Sequence, residues 1–119
     1  MADNHTAPAP FDQLEADTVL RTSDTVDFYV HKSILMVASS VFETMFSLPQ
    51  PADAAQQSVI HVSEDSRTLE YLLRFCYPLV DNPVFDDLSK LEVVLESAMK
   101  YEATEACASL RRALQNLPP

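Results

Sequence analysis

Residues 26–46 read VDFYVHKSILMVASSVFETMF, and within that stretch the hydrophobic period changes from two to about 3.6. Val26, Phe28 and Val30 alternate with Asp27, Tyr29 and His31, the pattern of a strand with one buried face. After Lys32 the spacing becomes helical, with Ile34, Leu35 and Ala38 on one face of a short helix. Ser40 and Glu43 stand at capping-box spacing, which predicts a second short helix carrying Phe42, Met45 and Phe46 and stopping before Pro49. A strand feeding directly into a helix pair points to a mixed α/β domain.

Working outward, Val19 to Thr22 form a second strand, joined to the first by the polar turn Ser23-Asp24-Thr25. The chain contains no glycine, so tight turns are expected to take positive φ at Asn or Asp or to avoid needing it, with that turn and Asp81-Asn82 the candidates. Residues 1–15, with Pro8 and Pro10, read as a flexible tail in which Phe11 and Leu14 are candidates for local docking, which leaves one domain over 16–117. Downstream, Leu48 to Gln57 is an expected loop and Val59 to Val62 a third strand. Asp65 or Ser66 caps a third helix whose apolar stripe is Leu69, Leu72, Leu73 and Cys76, ended by Pro78. Ser89 and Glu92 make a second capping box, with Leu88 and Val93 as its hydrophobic staple. The helix they open buries Leu91, Val94, Leu95, Ala98 and Met99, and a fifth helix starts near Thr104 with Cys107, Leu110 and Leu114 inward. The expected class is α/β (α+β), a small three-stranded sheet with about five clustered helices.

Charge narrows the function. Eighteen acids face eight bases, a formal net charge of −10, so phosphate backbones and anionic membranes are repelled. The one basic pair, Arg111-Arg112, falls in the last turn of a helix, where cations complement the dipole. No apolar run is long enough to span a bilayer, and the first ten residues have no signal-peptide pattern, so a cytoplasmic or nuclear location is expected. Cys76 and Cys107 sit in apolar helical patterns without metal-ligand spacing and read as buried free thiols.

Catalysis finds little support in these residues. Without glycine there is no phosphate-binding loop of the P-loop or Rossmann kind, so no nucleotide cofactor is expected. Asp27, His31 and Ser33 contain the residue types of a triad, but four residues of strand separate the first two by roughly 13 Å. His31 instead reads as a junction histidine, capping a helix start or packed inside. His5, His31 and His61 lack metal-ligand spacing, so neither metal nor enzyme chemistry is expected.

The segment Asp17, Phe28-Tyr29-Val30-His31-Lys32, Leu35, Ser39 or Ser40, Phe42, Met45-Phe46 resembles the signature of the BTB/POZ domain family. Ile60-His61-Val62, Leu69-Glu70-Tyr71-Leu72-Leu73-Arg74-Phe75-Cys76-Tyr77 and Ala98-Met99-Lys100-Tyr101 follow in the family's order. The likeness spans residues 16–117 and is closest in layout to compact fungal-type members. It implies the BTB/POZ fold and a protein-binding role: self-association, or adaptor work that links a client to a cullin-type ubiquitin ligase.

The resemblance also nominates residues. Asp17 and Lys32 match a charged pair of the family's dimer groove and are expected to approach each other, with Met36 the apolar group beside them. Met45, Phe46, Leu48, Leu79 and Phe85 are the candidates for a partner-binding face. Two departures stand out. Pro8 and Pro10 oppose a long swapped N-terminal helix, so a monomer or weak dimer is expected. Cullin-binding members tend to carry a hydrophobic-x-Glu element after the second helix, and the matching piece here is Leu48-Pro49-Gln50. The alternative is a self-associating scaffold in transcriptional or other assemblies, and channel-type tetramerisation shares the fold but has no motif here. Either the domain is part of a longer chain or its own surface recruits the client.

Overall fold

The computed structural model describes residues 5–48, 58–78 and 80–117. Along the chain run β1 (His5–Thr6), β2 (Thr18–Arg21), β3 (Val26–Val30), α1 (Lys32–Ala38), α2 (Ser40–Ser47), β4 (Ser58–His61), α3 (Ser66–Cys76), α4 (Leu88–Lys100) and α5 (Thr104–Gln115). The strands form one sheet in the order β1-β3-β2-β4. β2 and β3 are the antiparallel hairpin, and β1 and β4 each join it in parallel. Five helices and a small mixed sheet are as the sequence predicts, but the sheet has four strands rather than three.

The additional strand lies in the segment expected to be a flexible tail, and this is the largest correction. β1 is too short to show an alternation; backbone bonds define it, from His5 N–H to the Thr25 carbonyl (3.1 Å) and from Ala7 N–H to the Asp27 carbonyl (2.9 Å). Beyond it Phe11 is 0% exposed. Its ring lies 5.7 Å from Phe28 and meets Tyr77 edge-on at 5.2 Å, while its carbonyl accepts the Tyr29 N–H at 2.9 Å. Arg74 of α3 closes over the same ring at 5.8 Å and donates to the Ala9 carbonyl at 3.3 Å. One buried phenylalanine stabilises by about 2–3 kcal/mol, which offsets the ordering of a segment already stiffened by two prolines. Residues 1–4 lie outside the described residues.

Helix starts differ from the capping boxes by one residue in α2 and by two in α4. Ser39, not Ser40, caps α2, its Oγ accepting the Phe42 N–H at 3.1 Å. α4 opens at Leu88 under Asp87, whose carboxylate accepts the Ser89 N–H at 2.8 Å. A charged acceptor at a helix N-terminus outcompetes a serine two residues later. The bonds from Ser89 hold the exposed Asp87 carboxyl below its ordinary value. The buried stripe of α4 is therefore Leu91, Val94 and Ala98; Met99, one residue round the helix, is about half exposed, as are the expected staple partners Leu88 and Val93.

Positive φ falls on Thr25 (63°) and Glu102 (51°), neither an Asn nor an Asp. Thr25 does lie in the expected turn, whereas Asp81-Asn82 needs no such value. Both cysteines are free, Cys107 buried and Cys76 half-buried. Burial, helped by the nearby Cys107, pushes the Cys76 thiol up to about 12, so it stays protonated at neutral pH.

Candidate interaction surface

α2 is short, with Val41, Phe42, Met45 and Phe46 apolar at helical spacing. Only Phe42 is buried; its ring stacks on Tyr101 at 4.9 Å on one side and on Phe46 at 5.7 Å on the other. The Lys32 ammonium sits 5.6 Å from the Phe46 ring centroid, so a column of three rings runs outward to a cation. The inner end is equally fixed. Ser39 Oγ donates to the Tyr101 carbonyl at 2.5 Å and Ser40 Oγ to Glu102 Oε1 at 2.5 Å, tying the start of α2 to the α4–α5 turn. Tyr101 Oη in turn donates to Glu64 at 2.7 Å, and burial together with that carboxylate drives the phenol well above its ordinary pKa.

On this base α2 presents two depressions. One, about 300 Å³, is lined by Lys32, Met45, Phe46, Ser58, Val59 and Ile60. The other, about 540 Å³, is lined by Ser40, Val41, Thr44, Met45, Leu48 and Glu102. Met45 belongs to both, and Leu48 is 58% exposed at the end of the helix. The structure thus groups Lys32, Met45, Phe46 and Leu48 on one face, whereas the family resemblance assigns Lys32 to a separate groove.

Asp17 and Lys32 do meet, through the main chain: the Asp17 carboxylate accepts the Lys32 backbone N–H at 2.9 Å. Met36 is half-buried, and the outward residue of α1 is Val37, 91% exposed. At about 100° per residue, Leu35 points inward, Met36 lies a quarter-turn round and Val37 faces away. Phe85 is corrected to a core anchor. It is 7% exposed, edge-on to Tyr71 at 5.4 Å and stacked on Phe75 at 6.2 Å, and offers no free face to a partner. Leu79, Pro49 and Gln50, and with them the hydrophobic-x-Glu position, lie outside the described residues. Val59 was missed. It stands on the outward register of β4, an apolar residue where a one-sided strand calls for a polar one, and that was its signal.

The residues of the apparent triad are not brought together. Arg21 grips Asp27 with two hydrogen bonds, at 2.7 and 3.1 Å, across the directly paired positions of β2 and β3. His31 occupies the N-cap position of α1 but makes no side-chain cap; its ring approaches Tyr77 Oη at 3.3 Å. Among the described residues no cluster of three or more His, Cys, Asp or Glu could hold a metal ion, and no helix is long and apolar enough to cross a membrane.

A small sheet and a cluster of short helices thus carry a partly exposed apolar face backed by the Phe42–Tyr101 stack. The family model for the BTB/POZ domain matches residues 11–117, and the chain belongs to that family. The match opens at Phe11, the residue that closes the N-terminal segment onto the core. Among solved structures, the BTB domain of zebrafish PATZ1 is similar with a TM-score of 0.62 over 85% of this chain and 76% of that one, at 19% identity, a likeness of fold alone. No curated protein matches the sequence. Domains of this family bind other proteins, and self-association is among their modes.

Proposed function

We propose that this domain is an adaptor, docking through the α2 face onto a cullin-type ubiquitin-ligase scaffold while another surface carries the client. The observation behind this reading is the continuity of Val41, Met45, Phe46 and Leu48 across two depressions, backed by the Phe42–Tyr101 stack. Preorganised apolar anchors lose little side-chain entropy on binding, which is what a docking site needs. The reading is supported by the resemblance to a family whose cullin-binding members draw on the second helix and the loop after it. Cytoplasm or nucleus is the compartment this role implies.

Calorimetric titration with the N-terminal part of a BTB-binding cullin tests the reading, with a Thr44→Lys, Leu48→Asp variant alongside. Both positions are exposed, so the variant keeps its fold. Binding at about −8 kcal/mol or better, lost in the variant, supports the adaptor. A folded wild-type domain that shows no heat of binding sinks it.

The second reading, a self-associating scaffold, draws on Val37, whose near-complete exposure beside Met36 leaves an apolar ridge on α1. Sedimentation at rising concentration separates the two, since the scaffold alone requires self-association without cullin binding.

A further inference from the structure

A second groove runs between α3 and α4, away from the residues of the α2 face. Two depressions, of about 240 and 370 Å³, share Asp65, Thr68 and Val93 and so form one trough. Its floor is apolar: Tyr71 from α3, with Val94 and the 52% exposed Val93 from α4. At one end Arg67 and Lys90 stand on opposite helices, both exposed. Among the described residues neither Arg67 nor Lys90 makes an ion pair or a side-chain hydrogen bond. At the other end Lys100 is already held by Glu64 at 2.8 Å.

Charge makes this trough unlike the rest of the molecule. Three of the eight basic residues line it against three of the eighteen acids, so the formal net charge of −10 resides entirely elsewhere. An acidic segment repelled by most of the surface meets here two uncommitted cations beside half-exposed apolar side chains.

We infer that the α3–α4 groove binds an acidic short linear segment of a client protein, with an apolar side chain seated on Tyr71 and Val93 and a neighbouring carboxylate held between Arg67 and Lys90. An exposed valine flanked by two uncommitted cations is a site with an apolar anchor and a charged rim, the arrangement that gives peptide recognition both affinity and register. Because the rim pairs are solvent-exposed, binding weakens as salt rises. The inference does not depend on which scaffold the α2 face takes.

The test is selection of a random-peptide display library on the full chain, followed by fluorescence titration of the enriched peptides. The expected peptides pair Asp or Glu with Leu, Ile, Val or Phe one or two positions away. Their affinity should fall about tenfold or more for Arg67→Glu, Lys90→Glu and for Val93→Ser, and hold for Arg111→Glu, Arg112→Glu, an equal change of charge on α5. Far-ultraviolet spectra and melting curves confirm that each variant is folded. Enriched peptides without an acidic bias, equal binding to the Arg67/Lys90 variant, equal loss in the α5 control, or no enrichment at all would each overturn the proposal. Cullin binding by the same preparations is read separately, so the two sites fail independently.

Discussion

The Asp17 carboxylate accepts the backbone N–H of Lys32 at 2.9 Å, so the first residue of α1 is capped from before β2 rather than by its own N-cap residue. Two residues nominated as a charged pair are joined by a main-chain hydrogen bond, and the two side chains have unequal duties. Removing the carboxylate leaves an orphan helix donor, whereas removing the ammonium leaves the bond intact. Asp17→Ala should therefore destabilise the domain by about 0.5–1 kcal/mol, and Lys32→Met should change it by no more than about 0.5 kcal/mol. Urea unfolding of the two variants decides the matter; equal losses would mean that the pair acts through its charges.

Glu64 supplies a pH dependence. Burial raises its carboxyl, but hydrogen bonds from Lys100 (2.8 Å) and Tyr101 (2.7 Å) outweigh that and leave it below the ordinary value. A carboxyl with a depressed native pKa stabilises the fold above its unfolded value and loses that contribution as pH falls through the native one. Glu64→Gln should cost about 1 kcal/mol at neutral pH, and the two stability curves should converge as pH falls below the ordinary value of 4.5. Unfolding midpoints across an acid series measure this. A constant gap down to low pH would show that the carboxylate charge is not what Lys100 and Tyr101 stabilise.

Thr18 is fully buried on β2, and its Oγ1 has no hydrogen-bond partner among the described residues. A valine has nearly the same shape and no hydroxyl to desolvate. Thr18→Val should stabilise by about 1 kcal/mol, seen as a higher melting temperature at unchanged folded-state spectra. A loss of stability would mean that the hydroxyl is satisfied.

Phe11 of the N-terminal segment and Phe85 of the α3–α4 loop are both buried. Phe11→Ala and Phe85→Ala should each cost about 3–4 kcal/mol, against less than about 0.5 kcal/mol for Leu48→Asp on the exposed end of α2. Denaturant titrations of the three variants rank them directly.

Where the chain carries a long local period, the sequence and the fold agree. Phe28 and Val30, and the stripe of Leu69, Leu72 and Leu73, each use one face of one element, set by neighbours in sequence, although Asp27 on the other face of β3 is also buried, under Arg21. Cap positions slipped by one or two residues because Ser39 and Ser40, or Asp87 and Ser89, offer competing acceptors, and the choice depends on what packs behind them. The proposed α2 face was half legible: Met45 and Phe46 lie on one helix and Leu48 at its C-cap, but Val59 joins them only through the pairing of β4 with β2.

The sequence by itself determined the α/β class, the hairpin, the five helices and the family, because hydrophobic period and residue order are local properties of the chain. Only the tertiary structure decided that Phe11 belongs to the core, that Phe85 leaves the surface and that Arg67 and Lys90 face one groove. Each of these depends on which distant elements share a boundary, and burial and charge juxtaposition are properties of that boundary rather than of either segment alone.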